Sequence, residues 1–214
     1  MISTTSKVAI STLEFSSSAP FYVIMEVYFF RGMNMKETVY FGTYTRRISQ
    51  GIYKAEFDTE TGQLANLELF AAEPSPTYLA FDQDQHLYTV GSHDGKGGVA
   101  AYKIDGSLLN HVVEEGAPHC YVAVDEKRSL VYGANYHKGQ VLVYKRKEDG
   151  SLELADIDQH TGHGPHENQA SSHVHYTNLT PDQYLVTCDL GTDEVTTYDV
   201  NSEGKISPLA TYNC

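Results

Sequence analysis

His119-Cys-Tyr-Val-Ala-Val-Asp125, Leu130-Val-Tyr-Gly133, Gln140-Val-Leu-Val-Tyr144 and Asp149-Gly-Ser-Leu152 follow one another within 34 residues, and their order recurs along the chain. Each of the first three runs is short, apolar and rich in Val and Tyr, the composition that suits a pleated, half-buried surface. Turn-forming Gly, Asp and Asn separate them. The same order appears upstream as Pro76-Thr-Tyr-Leu-Ala-Phe-Asp82, Leu87-Tyr-Thr-Val90, Gly98-Val-Ala-Ala-Tyr102 and Asp105-Gly-Ser-Leu108. It appears downstream as Val174-His-Tyr-Thr-Asn-Leu-Thr180, Leu185-Val-Thr-Cys188, Glu194-Val-Thr-Thr-Tyr198 and Glu203-Gly-Lys-Ile206. Tyr78, Tyr121 and Tyr176 fall in register. From Leu87 to Leu130 the step is 43 residues, and from Leu130 to Leu185 it is 55. A histidine-rich insertion accounts for the longer step.

Four strands per unit at this period define a β-propeller blade. Each blade is a twisted four-stranded antiparallel sheet that packs face to face with its neighbours. A β-sandwich also has short alternating strands but no reason to repeat in this internal order. The fold class is therefore all-β, a β-propeller of four-stranded antiparallel blades, with about half of a seven-bladed ring present. A partial unit comes first: Val39-Tyr-Phe-Gly, Gly51-Ile-Tyr-Lys and Thr61-Gly-Gln-Leu, lacking the innermost strand. Three units and a partial one leave blade faces and edges open to water, which favours association. The expectation is a part of a larger propeller, or self-association of copies through open blade edges.

Residues 1–35 read as an N-terminal extension outside the fold, and 36–214 as the partial propeller. Ala19 to Phe30 is the one long apolar run. It is too short to span a bilayer and contains Glu26. It lacks the basic start and the small-residue cleavage site of a signal peptide.

The formal net charge of −13 argues against nucleic acid and against an anionic membrane surface as partners. A small anionic substrate needs only a local positive site and stays open. The three cysteines, Cys120, Cys188 and Cys214, are odd in number and widely spaced, with no Cys-x-x-Cys. That is no disulfide framework, and a reducing, cytoplasmic setting is the expectation.

Five of the 10 histidines, His160, His163, His166, His173 and His175, lie within 16 residues. Imidazole is the side chain that ordinarily changes charge near neutral pH, so the cluster points to proton transfer, anion binding or metal binding. His160-x-x-His163-x-x-His166 and His173-x-His175 could supply metal ligands. Against that, few acidic partners lie nearby, and the Gly-Pro loop imposes no fixed face. The expectation is no metal. His160 and His163 read as solvated loop residues. His119, beside an inner-strand start, and Asn135 are weaker candidates for substrate binding; for each the structural reading comes first, and Asn135 in particular satisfies a blade turn.

Gly42-Thr-Tyr-Thr45, Gly51-Ile-Tyr53, Gly97-Gly-Val-Ala-Ala-Tyr102, Ala134-Asn-Tyr-His137, Thr161-Gly-His-Gly-Pro-His166, His173-Val-His175 and Cys188-Asp-Leu-Gly-Thr-Asp193, taken in order, resemble the bacterial seven-bladed lactonase family. The resemblance covers about residues 38–214. It implies hydrolysis of a sugar lactone, 6-phosphogluconolactone by default, in the oxidative branch of pentose phosphate metabolism, with no metal or organic cofactor. A carboxymuconate-type cyclase or isomerase, similar in fold, is the alternative. So is a catalytically silent propeller segment that serves as a binding module. The family's site histidine, at the start of an inner strand, matches His175. His175 is thus the expected base or acid. His173, two residues earlier and on the same side of an extended chain, is expected to orient it or bind substrate. His166 and Gln169 are expected to line the site from the inserted loop. Two departures stand out. Asn168 replaces the arginine that often precedes the equivalent of Gln169, and Asn cannot hold an anion as a guanidinium does. A Pro-Arg-His segment and an Asn-Glu pair of the family's site would lie beyond Cys214.

Overall fold

The computed structural model describes residues 36–214, so the expected N-terminal extension, residues 1–35, lies outside the described residues. The fifteen strands among the described residues are antiparallel throughout. The chain divides into two compact units at Leu79/Ala80.

The first unit holds a three-stranded sheet, β1 (Lys36–Phe41), β2 (Gly51–Asp58) and β3 (Leu64–Ala72), in that order. Among the described residues this first sheet has three strands where each later sheet has four. Period-two alternation places Val39 and Phe41 on one face, where they bury with Ala55 against Tyr53, Phe57 and Leu64. On the other face Tyr40 meets Phe70 edge-on, with ring centroids 5.1 Å apart.

The second unit holds three four-stranded sheets. The first is β4 (Leu79–Phe81), β5 (Leu87–His93), β6 (Lys96–Tyr102) and β7 (Leu108–Glu114). Next come β8 (Tyr121–Asp125), β9 (Leu130–Asn135), β10 (Gln140–Arg146) and β11 (Leu152–Gln159). The third is β12 (Val174–Leu179), β13 (Leu185–Asp189), β14 (Glu194–Val200) and β15 (Ile206–Asn213). Every sheet is a meander in sequence order, as a blade must be.

The repeat extends to fine geometry. In each sheet the ladder between third and fourth strands shifts at the same place, just before Tyr102, Tyr144 and Tyr198. The turns that follow carry Gly106, Gly150 and Gly204 at φ of 84°, 86° and 75°. Only glycine adopts this left-handed conformation without a Cβ clash. Asp105 and Asp149 cap their turns identically, each accepting from the backbone and hydroxyl of the serine two residues on.

One alignment drawn from the sequence is a residue out. Across the ladders Leu87 faces Tyr102 and Leu185 faces Tyr198, but it is Val131, not Leu130, that faces Tyr144. The turn between β8 and β9 is one residue longer than its counterpart: Tyr132 bonds Asp125 across seven positions, whereas Tyr88 bonds Asp82 across six.

The middle strands are apolar on both faces, so successive sheets must cover one another. Leu87, Tyr88, Val90, Val99, Leu130, Val131, Tyr132, Val141 and Val143 are all fully buried. Each such aliphatic contributes about 1.5–3 kcal/mol on removal from water. Polar groups carried inside by this packing are matched. Asp82, with a fully buried side chain, accepts from the His86 ring at 2.9 Å, the Tyr88 hydroxyl at 3.0 Å and Arg146 Nη1 at 2.6 Å. Arg146 Nη2 donates to Glu126 at 2.7 Å. Burial alone would raise the Asp82 carboxyl, but the bonds from His86 and Arg146 outweigh it and hold the group below the ordinary carboxylate range. Between the later sheets, Arg128 bonds Asp125 and the Gln183 carbonyl, and Asp156 accepts from Lys205 and the Ile206 backbone.

Arg146→Ala leaves the Asp82 carboxylate buried without its cation. Urea denaturation should show a loss of about 3–5 kcal/mol, the usual cost of orphaning one partner of a buried ion pair. A loss under 1 kcal/mol would mean that the network contributes little to packing.

Candidate functional site

The inserted loop before β12 is braced by one carboxylate. Asp189, at the end of β13, accepts from the backbone N–H of His173 at 2.6 Å and of Gly191 at 2.8 Å, from His160 Nδ1 at 3.1 Å and from the Ser172 hydroxyl. Burial alone would raise its carboxyl, but these four donors outweigh it and hold the group far below the ordinary range. His160 is not solvated, contrary to expectation. Its Nε2 lies 2.6 Å from the Tyr198 hydroxyl, which donates to Asp158 at 2.7 Å. His163 is exposed, as a solvated loop residue should be.

His166 is also exposed. Its backbone N–H donates to Gln169 Oε1 at 2.9 Å, and its ring Nδ1 accepts from the Asn168 backbone at 3.2 Å. Gln169 Nε2 donates to Asp193 at 2.6 Å and to the Leu190 carbonyl at 3.0 Å. The Gln169 amide therefore ties the loop to the turn between β13 and β14. The contacts of this pair run to each other and to that turn rather than to His175.

Two further candidates, His119 and Asn135, lie buried and bonded within the sheets. His119 is buried, with Nε2 2.6 Å from the Tyr144 hydroxyl, and burial pushes its pKa down to about 3. A Cβ at Gly133 would come within 2.4 Å of its ring, so that glycine is what lets the imidazole into the core. Asn135 is buried too. It donates to the Ala117 carbonyl at 3.1 Å and accepts from the Lys138 backbone at 3.1 Å, the turn role its sequence context allowed.

His173 and His175 do come together, around a residue that spacing does not single out. The Tyr136 ring, just after β9, lies parallel to His173 with centroids 4.2 Å apart and planes 6° apart. The same ring meets His175 edge-on at 5.9 Å and 84°. The Tyr136 carbonyl lies 3.0 Å from His173 Nδ1. His175 is exposed and His173 half-buried. The ladder between β12 and β13 slips at His175: Val174 pairs with Asp189 and Tyr176 with Cys188, leaving His175 as a bulge. A bulge re-aims a side chain and is common beside functional sites. Beneath it, the Cys120 thiol points at the Val174 and His175 carbonyls, and burial pushes its pKa up to about 11. It is thus a thiol at neutral pH, a poor nucleophile.

A second group of possible ligands, Asp82, Asp84 and His86, lies outside this cluster. Arg146 already sits on Asp82, and a guanidinium in that position opposes a cation.

Residues 38–214 match the family described as Lactonase, 7-bladed beta-propeller. The chain belongs to that lactonase family. Its relatives include an uncharacterised protein of Lactococcus lactis, 54% identical over 181 residues, which cover 83% of this chain and 53% of that protein. A Bacillus subtilis protein named 6-phosphogluconolactonase is 46% identical over 167 residues, covering 74% of this chain and 48% of that protein. A crystal structure of a Lactobacillus plantarum protein superposes with a TM-score of 0.82 at 49% identity, covering 84% of this chain and 54% of that one. This lactonase-family chain thus spans about half the length of the curated relatives it matches.

Asp189→Asn keeps the side-chain shape and removes the charge that four donors share. Limited proteolysis should cut the 160–172 loop faster, and stability should fall by about 1.5–3 kcal/mol, the scale of a hydrogen bond to a charged group. Because folding depresses the Asp189 carboxyl, its contribution is complete above the unfolded-state pKa of about 4 and is lost as pH falls below it. The variant's stability should therefore decline less steeply with acid than the wild type's. Equal acid slopes would remove Asp189 from the role of loop brace.

Proposed function

We propose that the protein opens a sugar lactone by hydrolysis, with 6-phosphogluconolactone as the substrate. Membership of the lactonase family and the name carried by the Bacillus subtilis relative support the reaction class and the substrate. The observation that carries the reading onto this chain is the gathering of His173 and His175 on one tyrosine ring at the start of β12.

Lactone hydrolysis needs a base for water, hydrogen-bond donors for the oxyanion that forms at the ring carbonyl, and a proton for the departing ring oxygen. An imidazole can both take and return a proton within one reaction, and His173 and His175 supply two of them. The backbone of His173 is braced on both sides, by Asp189 and by Leu190, which fixes where its ring starts from. The three free cysteines accord with a reducing cytoplasm as the setting.

The purified chain should open 6-phosphogluconolactone measurably faster than the spontaneous reaction. The double variant H173A/H175A should lose at least about a hundredfold, the scale of a lost general base. A wild-type rate equal to spontaneous opening would defeat the assignment for this chain, as would a double variant at the wild-type rate.

A further inference from the structure

We propose that His173, rather than His175, is the proton acceptor of this site, and that Tyr136 is the residue that positions it. The inference rests on the lactone-opening reading above and assigns roles within it.

The tautomer of His173 follows from its partner. Nδ1 lies 3.0 Å from the Tyr136 carbonyl oxygen, and a carbonyl only accepts. Nδ1 therefore carries the hydrogen, and in the neutral ring the lone pair is on Nε2. Among the described residues Nε2 has no hydrogen-bond partner, and the ring is half-exposed. The lone pair is thus available to a water brought in with substrate. Tyr136 constrains the ring a second time: its own ring lies flat on the imidazole at 4.2 Å. Carbonyl and ring of one residue set both the protonation pattern and the plane of the base. The backbone is held as well, since the His173 N–H donates to Asp189 and its carbonyl accepts from Leu190 N–H at 2.9 Å. A base oriented by a third group is the arrangement that general-base catalysis requires.

His175 lacks these restraints. It is exposed on a bulge, and its ring and that of Tyr136 stand nearly perpendicular with centroids 5.9 Å apart. Among the described residues no hydrogen bond to its ring selects a tautomer. Its position suits contact with the substrate.

The step balances without a further reactant. Water oxygen bonds to the lactone carbonyl carbon as one water proton passes to His173 Nε2, giving a tetrahedral oxyanion and an imidazolium. Collapse of the oxyanion breaks the ring C–O bond. The departing oxygen takes the proton from Nε2, leaving the open hydroxy acid and neutral His173.

The test has a spectroscopic arm and a kinetic arm, both on the full chain. Ring-15N histidine spectra above pH 8, with H173N used for assignment, should show His173 with Nδ1 protonated and Nε2 bare. Y136F and Y136A both keep the Tyr136 backbone carbonyl and should both preserve that pattern, so the ring's part is read from the kinetics. Kinetically, H173N retains a donor for the Tyr136 carbonyl but has no base, so kcat should fall at least about a hundredfold with little change in KM. Y136A should lower kcat about tenfold or more, again with KM little changed, and Y136F should restore it. H175N should act more on KM than H173N does. An Nε2–H tautomer at His173, or an H173N enzyme with near wild-type kcat, would overturn the assignment while leaving lactone hydrolysis standing. No catalysis by the wild type would instead defeat the function, and with it the base role, even if the spectra show the expected tautomer.

Discussion

Sheets that are apolar on both faces have no stable existence alone, and this is the constraint on which the second unit depends. Buried Leu, Val and Tyr on the middle strands force each sheet against the next. That packing carries hydroxyls and carboxylates into the space between sheets, where an unpaired polar group is costly. Asp82 shows how the cost is met. Its carboxylate gathers the Tyr88 hydroxyl and the His86 ring from its own sheet and the Arg146 guanidinium from the next. Tyr88 reaches across as well, to the Gly150 carbonyl at 3.0 Å. Hydrophobic burial brings the sheets together, and these bonds fix where they stop.

A rigid stack of this kind allows the inserted loop to be irregular without being loose. The loop carries four of the clustered histidines, from His160 to His173, yet its conformation is set mainly by two side chains, Asp189 beneath it and Gln169 within it. Asp189 ends a central strand of its sheet, so the loop is referenced to the packed part of the unit. The His160–Tyr198–Asp158 chain adds a second anchor on the far side. The histidines thus divide by role. His160 holds the loop down, His163 and His166 face solvent, and His173 and His175 belong to the head of β12.

The fold was legible because a blade is a local object. Strand order and turn residues lie within stretches of about 40 residues, and both are written in alternation and turn chemistry. The one-residue slip at Leu130 escaped because leucine and valine are interchangeable in an apolar run. Only the ladder shows that the turn after Asp125 is longer. The site was legible in part. Two histidines separated by one residue at a strand start implied a shared side, and they do meet one ring. That ring belongs to Tyr136, which is 37 positions from His173, and no spacing rule reaches that far. The surroundings of His119 and of His160 were out of reach of the sequence for one common reason. Whether an imidazole is buried depends on tyrosines in distant strands, Tyr144 in one case and Tyr198 in the other.

These two tyrosines also clarify what sets Tyr136 apart. Tyr144 and Tyr198 meet their imidazoles through the hydroxyl, at 2.6 Å each, and so immobilise them as parts of the core or the loop. Tyr136 meets His173 through its ring face and its backbone carbonyl, which leaves Nε2 unengaged. A histidine bonded at both nitrogens has no lone pair to offer, and a histidine held at neither has no defined direction in which to offer one. At Tyr136 the His173 imidazole is held at Nδ1 and across its face, in a half-exposed position that leaves Nε2 open to an incoming molecule. Exposure is what separates it from His119, whose ring also has an unpaired nitrogen but is sealed in the core, and the proposed base role is assigned to His173 on that ground.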